Sequence, residues 1–94
     1  MTEKTLKSGA KLGMTLADFT DAMALLHASQ KSESITSPEV LNALWPCLSR
    51  CVRNNQKISV DLFMDEKNRE DFLEIAEEVM KFNIAPFFKN RARQ

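Results

Sequence analysis

The chain has 94 residues, with 13 basic and 13 acidic side chains and a formal net charge of zero. That length suits one domain with a core of its own, and the charge balance argues against a general nucleic-acid binder or a polybasic membrane-surface module, both of which need an excess of positive charge. No apolar run approaches the roughly 20 residues that span a bilayer, and the opening MTEKTLKSGAKLG has no apolar signal region, so the expected location is the cytoplasm, without secretion.

In chain order, residues 1–14 are polar and broken by Gly9 and Gly13. They read as an arm, or as a minor hairpin in which Thr5–Lys7 pairs with Lys11–Leu12 around Ser8-Gly9-Ala10 and lies on the helices. Thr15-x-x-Asp18 resembles a capping box and predicts a first helix from Leu16 to Ser29, its buried face formed by Leu16, Phe19, Ala22, Met23 and Leu26, with Leu25 beside that face. His27, the sole histidine, reads as half-buried. Residues 30–37 (QKSESITS) form a mobile surface loop anchored only by Ile35.

Ser37-Pro38-Glu39 combines an N-cap, a first-position proline and an acid in the first turn. The second helix it opens carries Val40, Leu41, Leu44, Trp45, Cys47, Leu48, Cys51 and Val52, a face broad enough for the most buried helix, with a kink expected between Asn42 and Trp45 because Pro46 lacks a donor. Arg53–Lys57 is a turn in which Asn can adopt a left-handed backbone. Ile58–Met64 fits either an extended piece or a helical turn, with Val60, Phe63 and Met64 as core. The longest periodic stretch runs from Asp65 to about Asn83. Phe72, Ile75, Ala76, Val79 and Phe82 or Asn83 make one stripe on a single helix, widened by Leu73 and Met80. Glu70, Asp71, Glu74, Glu77 and Glu78 fall mostly on the opposite side. Pro86 should turn Ala85 away from the helical conformation. Phe87, Phe88 and a basic tail over residues 89–94 follow.

These elements predict an all-α fold: a small bundle of three main helices with a short C-terminal helical turn, and at most a minor N-terminal hairpin. Chemistry is sparse. Cys47 and Cys51, four apart, offer two ligands where structural zinc wants four, so they read as small buried hydrophobes, and their spacing is poor for a disulfide. Glu74, Glu77 and Glu78 read as a solvated helix face. No phosphate loop or nucleophile motif is present, so neither an enzyme nor a metal or cofactor is expected. The candidate site is instead a partner-binding one: Phe87, Phe88 and Lys89, supported by Phe82 and Met80. Adjacent residues of a helix or strand point apart, so one phenylalanine should face in and the other out towards a partner.

The segments LKSGAKL, ALWPCLSRC and EIAEEVMKFNIAPFFKN, together covering Leu6 to Asn90, resemble the small tail assembly chaperones of long-tailed (lambda-like) bacteriophages. The resemblance implies a helical protein without chemistry. It would bind the tape-measure protein, possess some contact with the major tail tube protein, self-associate, support polymerisation of the tail tube and leave before the virion is finished. Met14, Met23, Met64 and Met80 suit an adaptable groove for such a client. Two other readings compete: a small helix-turn-helix regulator, against which the long first loop and the charge balance weigh, and a structural head–tail connector subunit.

Overall fold

The computed structural model describes residues 1–31 and 34–89. It corrects the all-α expectation: helices share the molecule with a four-stranded antiparallel sheet. Strands β1 (Thr2–Thr5) and β2 (Lys11–Met14) lead into helices α1 (Phe19–Lys31) and α2 (Pro38–Leu48). Strands β3 (Val52–Arg53) and β4 (Gln56–Lys57) follow, then a 3-10 turn (Val60–Met64), α3 (Glu66–Glu70), α4 (Phe72–Ile84) and a closing 3-10 turn (Ala85–Phe88).

The sheet was hidden for two reasons. Its strands are two to four residues long, too short for an alternating pattern to show. Its second hairpin starts inside what reads as the tail of α2. That helix passes Pro46 and stops two residues later at Leu48. Cys51 N–H then returns to Leu48 O at 2.9 Å, closing a tight turn, and Val52 enters β3. The connection between β3 and β4 is the Asn54-Asn55 pair, with φ of 49° and 68°. Two left-handed residues match the twist of a two-residue hairpin, and Asn tolerates that backbone better than most. β2 pairs with β3 through Leu12↔Arg53 and Gly13↔Val52. A Cβ on Gly13 would sit 2.9 Å from Val52 Cγ2, so the bare backbone allows this close approach. In the first hairpin β1 pairs with β2 in the register Thr5↔Lys11, two residues nearer the N-terminus than the sequence pairing. Leu6–Ala10 form the loop, with Gly9 at φ 95°.

Helix boundaries shift too. The Thr15–Asp18 segment precedes α1 instead of forming its first turn, and the face turned to the core is Ala22 and Leu25, flanked by Ala28. Leu16, Phe19 and Met23, expected inside, are 52%, 70% and 40% exposed. A helix presents only one stripe to its neighbour, and the Leu25 stripe takes it. α1 extends to Lys31, two residues into the predicted loop; Ser32 and Glu33 of that loop lie outside the described residues. α2 starts as its sequence dictates, with the Ser37 hydroxyl accepting from Val40 N–H. The long helix is two. The backbone tightens at Asp71, whose N–H reaches Asn68 O and Arg69 O, and α4 starts afresh with Ile75, Ala76, Val79 and Asn83 buried. Phe63 is buried as expected, but Val60 and Met64 stand 61% and 70% exposed.

α1 packs on α2, α4 packs across both, and β2 closes against α4. The core between them holds Leu12, Leu25, Leu44, Leu48, Ile58, Ile75 and Val79, all without exposed surface. At the N-terminal end of α4, Trp45, Phe63 and Phe72 stack with ring centroids 4.9–6.2 Å apart.

Candidate partner-binding surface

Helix α4 ends where Pro86 withdraws a backbone donor, but Ala85 keeps helical angles (φ −51°, ψ −41°), contrary to the expectation from its neighbour. The chain tightens into the 3-10 turn Ala85–Phe88. That turn aims Phe87 at the start of α1, where its ring meets Phe19 edge-on at 6.0 Å and 65°. Such edge contacts add to simple burial. Phe87 is half-buried and Phe88 is 37% exposed. Beside Phe87 lies a hollow of about 260 Å³ lined by Leu16, Ala17, Phe19, Ala22, Asn83, Pro86 and Phe87.

Asn83 fixes this arrangement from inside. Its side chain is 2% exposed; its Nδ2 donates to Val79 O and its Oδ1 accepts from Ala17 N–H, both at 2.9 Å. The amide thus ties the segment entering α1 to the end of α4, placing Leu16 and Phe19 beside Phe87. The five sequence candidates do not form one cluster. Phe87 belongs to this patch, joined by Leu16 and Phe19, which the sequence had assigned to the core; Phe88 and Met23 are exposed but do not line it. Met80 and Lys81 line a separate hollow with Ser29, Ile84 and Ala85. Phe82 packs half-buried against the core, and Lys89 is exposed. Arg91 and Arg93 of the basic tail lie outside the described residues.

The carboxylates of α4 correct a second expectation. Asp71 is 4% exposed. Its Oδ2 accepts from Arg53 Nη2 at 2.8 Å, Arg53 Nε at 2.9 Å and Ser8 Oγ at 3.0 Å. Glu74 accepts from Lys7 N–H at 3.1 Å, and Glu78 pairs with Lys4 at 2.7 Å. Positions 71, 74 and 78 share one helix face, which clamps the first hairpin to α4; only Glu77 of the predicted solvated set remains exposed. A partly buried cation on β3, Arg53, which the sequence reading did not place on a strand, is what selects Asp71.

Cys47 and Cys51 are buried free thiols. Burial, reinforced by Asp21 and Cys51 and opposed by Arg50, pushes the Cys47 thiol up to about 11; burial also raises Cys51. Neutral, enclosed thiols are poor nucleophiles and ligands. His27 is exposed instead of half-buried. Among the described residues no group of three His, Cys, Asp or Glu side chains is placed to hold a metal, and no helix is long and apolar enough to cross a membrane.

Comparison with known proteins adds one match. Residues 3–93 fit the family model described as "Phage tail assembly chaperone protein, TAC". Neither a curated protein nor a solved structure matches the chain.

Proposed function

This chain belongs to the phage tail assembly chaperone family, and from that premise we propose that it binds the tape-measure protein while the tail tube polymerises, and is not retained in the virion. The observation that carries the reading is the apolar patch at the C-terminal end of α4. Leu16 and Phe19, which line it with Phe87, lie 52% and 70% exposed on a chain of 94 residues. Large apolar groups gathered on one side of a small protein mark a surface meant to be covered, and a long helical client with apolar stripes is a fitting cover. The work is binding, performed in the host cytoplasm without a cofactor, and the chain self-associates on the client; the tail tube protein is a further partner.

Co-expression with the tape-measure protein of the same genome tests this. The expected result is co-purification, with the tape-measure protein soluble only in the presence of this chain. A tape-measure protein that stays insoluble and unbound overturns the proposal.

A further inference from the structure

Two sides of helix α4 are occupied and one is free. Asp71 at its cap, with Glu74 and Glu78, holds the first hairpin. Ile75, Ala76, Val79 and Asn83 are buried in the core. The remaining side carries Leu73, Glu77, Met80, Lys81 and Ile84, which fall within a sector of about 100° on an α-helix. Glu77 and Lys81 are exposed, Met80 and Ile84 are half-buried, and Leu73 is 54% exposed.

Two hollows open along this side. One, of about 250 Å³, lies between Glu77, Met80 and Lys81 on α4 and Ile35 and Val40 opposite. The other, of about 310 Å³, lies between Met80, Lys81, Ile84 and Ala85 and Ser29 of α1. Met80 and Lys81 line both, so the two run on as one trough along the helix.

The charges of this trough belong to its lining. Glu77 and Lys81 are the charged residues that line it, an acid and a base four positions apart. That spacing allows a pair within the helix, yet among the described residues neither forms an ion pair. Both charges are therefore available to a partner. A helix bearing charges of one sign satisfies one of them and repels the other. The matching surface presents a base to Glu77, an acid to Lys81 and an apolar side chain between them.

The chain's own α4 is such a surface when turned antiparallel. A two-fold axis crossing the trough beside Met80 sets Lys81 of a second copy over Glu77, and Glu77 of the second copy over Lys81. The symmetry makes these one contact made twice, as an isologous interface requires. It brings the two Met80 side chains together beside the axis and carries Ile84 towards Leu73 of the second copy. A parallel pair would instead set each charge against its own kind.

We propose that two copies of the chain pair through this trough, α4 against α4 in antiparallel order, closed by reciprocal Glu77–Lys81 contacts. The inference rests on the proposed function for self-association, to which it assigns a surface, and on α4 alone for its chemistry. A contact limited to one helix from each copy falls at the low end of interface sizes, so the pair is weak and is sought at high protein concentration.

Sedimentation equilibrium of the full chain, over a concentration series reaching millimolar, tests this. The expected result is a monomer–dimer equilibrium whose Kd rises with added salt. Glu77→Lys and Lys81→Glu each place like charges at both contacts, and each should weaken the dimer about tenfold. Both side chains are exposed, so the melting midpoint should not move. An equimolar mixture of the two variants again has opposite charges at both contacts, and should form a heterodimer with the wild-type affinity. The double variant Glu77→Lys/Lys81→Glu should pair with itself equally well. A monomer at every concentration, a dimer indifferent to both substitutions, or a mixture that fails to pair overturns the interface. The two proposals fail separately. If the mixture fails to pair while the wild-type chain keeps the tape-measure protein in solution, the interface is wrong and the chaperone reading stands. If the mixture pairs as expected yet the wild-type chain never binds the tape-measure protein, the interface stands and the chaperone reading falls.

Discussion

Asp71 sits where α3 ends and α4 begins, and its position in the sequence, amid a run of acids, disguises its role. Its carboxylate is the anchor for Arg53 and Ser8. Removing one partner of a buried pair strands the other charge, so Asp71→Ala should destabilise by about 3–5 kcal/mol in urea denaturation. Glu77→Gln, a few residues on and exposed, should stay within about 0.5 kcal/mol. A small loss for Asp71→Ala would mean that Arg53 finds water instead. Cys47 gives a pH prediction. Its thiol titrates at an ordinary 9.0 when unfolded and at about 11 when folded. Between those values the unfolded chain has lost the proton that the folded chain still holds, so stability is full below pH 9.0 and falls as pH rises towards 11. Melting midpoints measured across that window should drop less steeply for Cys47→Ala than for the wild-type chain.

Among the elements, α2 was the most legible, because Ser37-Pro38-Glu39 specifies its start through local hydrogen bonding alone. The hairpins were the least legible. β3 and β4 are held by one two-residue turn and by β2, a partner roughly 40 residues earlier in sequence, as the Leu12↔Arg53 pairing shows. The turn was readable from Asn54-Asn55, but its strands were not. Asn55→Ala should cost about 1–2 kcal/mol, the penalty of a left-handed backbone for an ordinary side chain, whereas Asn55→Gly should cost nothing or stabilise slightly. Equal losses from the two would show that the Asn55 side chain matters more than its φ. Both can be read from thermal melts with the sheet monitored by circular dichroism.

For the whole molecule, the notable property is that two apolar surfaces lie at opposite ends of one helix, the hollow beside Phe87 at one and the exposed Val60, Met64 and Leu73 at the other. α4 is 13 residues long, so its ends stand about 20 Å apart. Phe88→Ala should reduce co-purification of the tape-measure protein severalfold while leaving the melting midpoint nearly unchanged, since the ring is 37% exposed. A fall in both by the same measure would place Phe88 in the core. The C-terminal candidate site was half legible: Phe87 stands out in the sequence, but Leu16 and Phe19 read as core, and the tie between Asn83 and Ala17 holds the segment that carries Leu16 against the end of α4.

The sequence by itself determined what depends on neighbours along the chain: the Ser37-Pro38-Glu39 start of α2, the apolar stripe of α4, the left-handed turn at Asn54-Asn55, and the family resemblance over Leu6 to Asn90. The tertiary structure decided what depends on partners distant in sequence. It chose which stripe of α1 turns inward, because a helix with apolar residues on two sides can bury either. It broke the long helix at Asp71, where the buried Arg53–Asp71 pair lies. It drew strands from segments too short to declare themselves, since a two-residue strand exists only when another strand lies beside it.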